Sequence, residues 1–480
     1  MQSRTSFYIG GDWVSPSSDT TYTMISPTTE EAIGIVPEAQ NADIDRAVAA
    51  ARSAFDDPTG WSTWTAEKRG EVIERFADTL QARVPEIARA ISSQNGMPLQ
   101  ISEGFEQLFP PMLLRYYAGL ATAQDPEERR SSVFGDITAV RREPIGVVAA
   151  IVPWNFPQAL AFLKIAPALA AGCTIVHKPS PETTLDSYLM AEAAIEAGFP
   201  PGVLNVVQGG REVGAYLVAH PGVDKVSFTG STAAGRSIGA VCGRLIRPVT
   251  LELGGKSAAI LLDDADIAGN LESFFQATLL NNGQTCNIAT RIIAPRSRYD
   301  EIVETLSSFV SALPIGDPLD PATVVGPLVS QRQFDRVEGY IAQGIAQGAR
   351  LTTGGGRPHG LDRGYFIAPT IFADVDNTYT IAQEEIFGPV LSVIPYCTDD
   401  EAVRIANESP YGLGGSVWSA DPERAMQVAR RVQTGTIGIN GYINDLHAPS
   451  GGVKSSGLGS ELGPEGLSSY QQLKSIYRAP

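Results

Sequence analysis

The sequence predicts an α/β protein with a largely parallel sheet and more than one domain. Three observations carry that prediction. Short β-rich apolar runs alternate with helical patterns between residues 146 and 249, a second α/β pattern starts at Ser257, and 480 residues exceed what one core organises. Strands alternating with helices mean βαβ units, whose ligands bind beyond the carboxyl ends of the strands.

Residues 146–152 form an apolar run suited to a strand covered on both faces. Residues 158–171 carry a helical pattern that Gly172 stops, and 174–177 read as the next strand. Leu185–Ala197 is again helical, 203–207 is strand, 213–218 is helix and 226–228 is strand. The second pattern begins with a strand at 257–262 and runs past 386–393, with Pro/Gly-rich loops at 314–327 and 354–360. Between these, Ile267, Leu271, Phe274, Phe275 and Leu279 fall on one helical face, with Asp263, Asp264 and Asp266 as capping residues at its start. The polar stretch 281–285 ends this helix and leaves Cys286 on a loop carried by a rigid element, a setting typical of reactive residues. No internal repeat or long linker is present, so the domains are expected to interleave.

Composition narrows the chemistry. With 43% hydrophobic and 19% charged residues, the chain has the balance of an ordinary globular protein. A net charge of −17 disfavours a nucleic-acid partner, because a phosphate backbone would meet repulsion on most faces. No apolar segment follows the first residues and no run of about 18 apolar residues occurs, so no membrane partner and a cytoplasmic location are expected. Cys173, Cys242, Cys286 and Cys397 are too widely spaced for a disulfide framework or a zinc cluster, and no metal is expected.

Several glycine-rich segments invite a phosphate reading. Gly255-Lys256-Ser257 looks like the end of a P-loop, but Thr250 stands where that motif needs its first Gly. Gly230-Ser231-Thr232-Ala233-Ala234-Gly235 and Gly209-Gly210-Arg211-Glu212-Val213-Gly214 each lack the middle Gly of a dinucleotide fingerprint. Gly230 nevertheless follows a strand and precedes a helix, where backbone N–H groups can face a pyrophosphate. The strongest chemical signal is a Glu and a Cys in small-residue settings: Leu251-Glu252-Leu253-Gly254-Gly255-Lys256, then Gly283-Gln284-Thr285-Cys286. A thiol can capture a carbonyl carbon, and a nearby carboxylate can activate the water that releases the product.

These motifs, with Pro153-Trp154-Asn155-Phe156-Pro157, Lys178-Pro179-Ser180, Phe228-Thr229-Gly230-Ser231 and Glu384-Glu385-Ile386-Phe387-Gly388-Pro389, resemble those of the aldehyde dehydrogenase superfamily, in its order and over nearly the whole chain. The resemblance implies NAD(P)-dependent oxidation of a small-molecule aldehyde to the acid through a Cys286 thiohemiacetal and thioester. Asn155 would hold the oxyanion with the Cys286 backbone N–H, an interaction worth roughly 3 to 4 kcal/mol per donor. Glu252 would activate the hydrolytic water, and Lys164 matches a family lysine near the active site. Lys178 and Ser180 would bind the adenosine ribose, and Glu385 with Phe387 the nicotinamide half. Ile151, Pro153, Trp154, Gly210, Phe228, Gly230, Ser231, Ile238 and Leu253 would complete the cofactor contacts. Phe156, Leu160, Leu163 and Ser450 would line the substrate pocket.

Three positions depart from the family's common pattern. Pro181 replaces a Glu that favours NAD, with Glu182 one residue on, so NAD is the first expectation and NADP the second. Ser450 replaces an aromatic residue, which is expected to widen the tunnel and make it more polar, and Leu163 replaces another. The resemblance implies a Rossmann-like cofactor domain (1–123, 143–252 and 436–465), a catalytic domain (253–435) and a β oligomerisation element (124–142 and 466–480) supporting a homodimer or homotetramer. A CoA-acylating semialdehyde dehydrogenase, disfavoured by Glu252, and a non-catalytic binding protein on the same fold are the alternatives.

Overall fold

The computed structural model describes residues 2–478 apart from 107, 134 and 136. The run expected at 146–152 is the strand Val147–Ile151, buried along its length and paired in parallel with Lys225–Thr229 on one side and Thr174–Lys178 on the other. Its uninterrupted apolar sequence follows from that position, because both faces are covered. Leu204–Val206 and Val249–Glu252 extend this parallel core, and three antiparallel strands, Gly457–Leu458, Phe7–Ile9 and Asp12–Val14, complete an eight-stranded sheet.

The helices between these strands follow their local signals. Pro157–Ala171 starts with Pro in its first turn and ends at Gly172, which takes the left-handed φ of +95°. Leu185–Ala197 spans the expected residues and ends at Gly198 in the same way. The helix expected at 213–218 is longer, Arg211–Ala219, because Gly210 serves as its N-cap.

Chain continuity places the chemistry at a seam. Val249–Glu252 belongs to the first sheet, and the next strand, Ala258–Leu261, belongs to a second, seven-stranded sheet. In that sheet Ala258–Leu261 pairs in parallel with Arg291–Pro295 and Gly415–Trp418, and Val390–Tyr396 lies beyond Arg291–Pro295. Glu252 therefore ends a strand of one sheet, and Cys286 precedes a strand of the other. Gly438–Ile439, placed by the expected boundary in the cofactor domain, adds an edge strand to this second sheet.

Three local expectations shift. The strand expected from residue 386 starts at Val390, because 384–389 form a loop with Phe387 at a left-handed φ of +63°. The helix before Cys286 is shorter than its apolar pattern: a 3-10 turn, Ala268–Asn270, precedes Leu271–Thr278. Of the three capping aspartates only Asp266 caps, accepting from the Gly269 N–H at 2.9 Å. Asp264 is taken by the Ser419 hydroxyl and Asp263 by Arg424, partners that arrive only on folding. A separate three-stranded sheet joins Glu127–Ser131, Ile137–Pro144 and Gln471–Tyr477. No helix among the described residues is long and apolar enough to cross a membrane.

Candidate active site

The loop that presents Cys286 is built from three successive residues with positive φ: Asn281 (+53°), Asn282 (+59°) and Gly283 (+74°). Asn tolerates this region better than other side-chain-bearing residues. Asn282 also uses its whole amide as a staple, donating to the Gly96 and Pro327 carbonyls at 2.8 and 3.0 Å and accepting from the Gly326 N–H at 2.7 Å. Gly283 has a second reason to lack a side chain: a Cβ there would lie 2.2 Å from the Gly388 carbonyl. The cysteine loop and the 384–389 loop thus touch backbone to backbone.

Cys286 and Asn155 border two cavities at once, one of about 500 Å³ and one of about 440 Å³. Asn155 does not cap the following helix, whose N-cap residue is Phe156. Its Nδ2 donates to the Gln284 carbonyl at 2.9 Å, while its own backbone carbonyl accepts from Asn281 at 3.0 Å and from Asn95 at 3.3 Å. The amide is thereby held beside the cysteine loop. Burial pushes the Cys286 thiol up to about 12, with the Glu385 and Glu252 carboxylates adding to the shift.

Glu252 opens onto the 440 Å³ cavity, its Oε1 buried without a hydrogen-bond partner. Its carboxyl is held well above the usual carboxylate range by burial, then by Glu461, with Lys164 pulling the other way. Lys164 is fully buried, donating to Glu461 at 2.7 Å and to the Thr229 hydroxyl at 2.6 Å. Glu461 is among the residues that sequence reasoning missed, since it lies 297 residues from Lys164 and no motif marks it. Phe156, Leu160, Leu163 and Ser450 line this same cavity, joined by Phe105, Phe109, Met112 and Tyr442, which were not foreseen. The polarity expected from Ser450 is concentrated at one part of the cavity, where Ser450 pairs with Glu461, while Phe105, Phe109, Phe156, Leu160 and Leu163 supply apolar lining.

The 500 Å³ cleft gathers Pro153, Trp154, Gly230, Ser231, Leu253, Glu385 and Phe387, with Thr229 from the same motif as Gly230 and with Gln333, Arg332 and Arg336 as unforeseen neighbours. Trp154 and Phe387 meet edge to face at 5.3 Å. Glu385 is pushed up to about 7 by burial, opposed by the Gly255 N–H that donates to it at 3.1 Å and by Arg336 and Lys256. Ile151, Lys178 and Phe228 lie at or near the carboxyl ends of adjacent parallel strands. Gly210 caps the Arg211–Ala219 helix, Ser180 is buried just past Lys178, and Ile238 packs against the sheet from the Thr232–Leu245 helix.

These residues suit a dinucleotide. The 14-residue helix Thr232–Leu245 points its N-terminus at the cleft through Gly230 and Ser231. A Cβ at Gly254 would lie 2.5 Å from Glu385, so the cleft floor depends on its absence. Lys178 is buried and donates to the Pro179 and Gly209 carbonyls, and burial lowers its ammonium to about 8. Donors and small residues are therefore concentrated where a ribose and a pyrophosphate would lie.

A model of the aldehyde dehydrogenase family matches residues 13–476. The chain belongs to the aldehyde dehydrogenase family. It is 56% identical to a geranial dehydrogenase from Castellaniella defragrans, over 98% of each protein. The solved structure of a Mycobacterium tuberculosis aldehyde dehydrogenase with NAD+ superposes with a TM-score of 0.96 at 48% identity, covering 99% of this chain and 98% of that one. An aldehyde dehydrogenase from Pseudomonas syringae, solved with NAD+ and octanal, gives 0.94 at 41% identity over 98% and 96%. This aldehyde dehydrogenase is an oxidoreductase that acts on aldehydes with NAD(P), on an α/β fold with a Rossmann-like cofactor domain and a catalytic domain.

Proposed function

We propose that Cys286 is the nucleophile, Asn155 the oxyanion donor and Glu252 the base of a hydrolytic aldehyde oxidation. The observation that carries this reading is the position of the thiol at the junction of two cavities, one suited to a cofactor and one to an apolar substrate. Glu252 takes the Cys286 thiol proton and passes it to solvent, the sulfur adds to the aldehyde carbon, and the carbonyl oxygen becomes an oxyanion beside the Asn155 amide. NAD(P), which Trp154, Ser231, Glu385 and Phe387 of the cleft would hold, would accept the hydride that the Cys286 adduct loses as it becomes a thioester. Glu252 then takes a proton from water, the hydroxide adds to the thioester carbon, and the acid leaves as Cys286 regains its proton. A carboxylate whose charged form is disfavoured by burial and by Glu461 is a stronger base than a solvated one, which suits this role. The Lys164–Glu461 pair sets the charge around it. The presence of Glu252 at the tunnel favours hydrolysis over transfer to CoA.

The substrate proposed is an uncharged, apolar aldehyde of medium length. Among the described residues the tunnel has no cationic lining residue to match a substrate carboxylate, and similar proteins are named for geranial or solved with octanal. NAD is proposed over NADP, because the Glu182 carboxylate acts on Lys178 and accepts from the Ser180 hydroxyl, where a 2′-phosphate would be repelled. A cytoplasmic homodimer or homotetramer is proposed as well, the reducing compartment keeping Cys286 as a thiol. The test is NADH formation at 340 nm with octanal, geranial, propanal and succinic semialdehyde, with each cofactor. Wild type is expected to favour octanal and NAD, and Cys286→Ala to give no signal while still binding NAD. The Glu252→Gln variant is expected to give one burst of NADH and a thioester adduct visible by intact mass. Equal activity of Cys286→Ala would sink the reading.

A further inference from the structure

The helix that follows Asn155, Pro157–Ala171, has no cap of its own, since its N-cap residue Phe156 offers no side-chain acceptor. The cap comes from elsewhere in the chain. Glu106 Oε2 accepts from the backbone N–H groups of Gln158 at 2.7 Å and Ala159 at 3.2 Å. Glu106 closes the π-helical turn Ser102–Glu106 and is 1% exposed. Such turns are rare and recur at functional positions.

Phe105, the neighbouring residue on that turn, lines the substrate tunnel. Its ring stacks on Phe109 at 5.0 Å and meets Phe156 edge-on at 5.3 Å. One turn therefore grips the segment 155–159 twice: Phe105 holds the residue just after Asn155, and Glu106 holds the first free amides of the helix. Whatever fills the tunnel presses on Phe105 and Phe109, and so on the segment that carries the oxyanion donor.

We propose that Glu106 is a positioning residue for Asn155, and that its turn couples filling of the substrate tunnel to placement of the oxyanion donor. The inference rests on the reading of Asn155 given above. A second observation concerns the other carboxyl oxygen. Glu106 Oε1 and Gln158 Oε1 are both buried without a partner and border the same small cavity. Neither oxygen carries a hydrogen while Glu106 is ionised, and a protonated Glu106 would supply the donor that an acceptor at this cavity lacks. Burial pushes this carboxyl up to about 8 against its two amide bonds, with Asp186 adding to the shift. Asp186 faces it from the Leu185–Ala197 helix, held by Gln158 at 2.7 Å and Gln94 at 3.3 Å.

The test compares Glu106→Gln and Glu106→Ala with wild type, using octanal and propanal, with kcat expressed per Cys286 alkylated by iodoacetamide. The amide of Glu106→Gln can accept from the helix and donate to Gln158, so its kcat is expected to stay within about twofold of wild type. Glu106→Ala is expected to lose about tenfold or more in octanal kcat, the scale of a slightly displaced catalytic group, with NAD affinity unchanged. Wild type should turn over octanal faster than propanal, and Glu106→Ala should lose that advantage. Phe105→Ala provides a second route should Glu106→Ala not fold: its octanal-to-propanal kcat ratio should fall toward one. A Glu106→Ala enzyme with wild-type kcat per thiol, a Glu106→Gln enzyme as slow as the Ala variant, or an unchanged ratio in Phe105→Ala overturns the proposal. If wild type oxidises neither aldehyde, or Asn155→Ala keeps full kcat, it is the underlying catalytic reading that fails.

Discussion

At Cys286 two effects raise the thiol pKa together: burial comes first, and the carboxylates of Glu385 and Glu252 add to it. Since the thiolate is the reactive form, the cofactor-free enzyme is expected to alkylate slowly with iodoacetamide at pH 7. Glu385→Gln removes the larger of the two carboxylate contributions. At pH 9 its alkylation rate should exceed that of wild type by roughly threefold to tenfold, the scale of one nearby charge in a partly screened site. An unchanged rate would show that burial alone sets the thiol. The same variant reports on stability. Glu385 is raised from 4.5 to about 7 in the fold, so its ionisation is disfavoured there relative to the unfolded chain. Stability from this group is fully present below about pH 4.5 and is lost as pH rises through about 7, a cost on the order of 3 kcal/mol. Thermal unfolding of the cofactor-free proteins should therefore show Glu385→Gln gaining on wild type between pH 5 and 8 and no difference at the acid end.

The loops obey rules that sequence shows only in part. Gly172 and Gly198 end their helices by a local signal, a glycine just past an apolar pattern, and both stops were legible. Residues 281–285 read as another helix end, yet Asn282 is a staple to Gly96, Gly326 and Pro327, whose approach no local window contains. The capping aspartates misled for the same reason, since Ser419 and Arg424 claim two of them from more than 150 residues away. Cys286 and Glu252, the proposed nucleophile and base, stood out because each sits in a small-residue motif, whereas Glu461 and Glu106 sit among ordinary residues. Gly283 offers the sharpest test at this scale. Its φ of +74° and its contact with Gly388 both exclude a side chain. Gly283→Ala is expected to destabilise the fold by about 3 kcal/mol, because strain and overlap add. It should also weaken NAD binding, by moving the loop that carries Glu385 and Phe387. Differential scanning fluorimetry and NAD titration measure both, and a variant with unchanged Tm would show that the loops part freely.

Across the whole molecule, the parallel core of the first sheet was legible as apolar runs, whereas in the second sheet Ala258–Leu261 and Val390–Tyr396 were legible and Arg291–Pro295 and Gly415–Trp418 were not. The short antiparallel strands near the N-terminus, such as Phe7–Ile9, were too brief to give a period. Of the two three-stranded sheets that stand apart from both, the one containing the C-terminal strand has the more exposed edge. Gln471–Tyr477 pairs with Ile137–Pro144 along seven residues and forms one edge of that sheet. Leu473, Ile476 and Tyr477 are 66%, 45% and 79% exposed. A long edge strand bearing exposed apolar side chains templates pairing with another chain, and soluble proteins ordinarily blunt or cover such an edge. Another copy of this chain is the cover proposed here. Light scattering after size exclusion should then give a mass of two or four times 51 kDa. Leu473→Lys with Tyr477→Lys, two substitutions far in sequence from Cys286, should shift the population toward smaller species by placing like charges on the pairing edge. A wild-type protein of 51 kDa under the same conditions would leave the edge without its partner and remove the oligomer from the account.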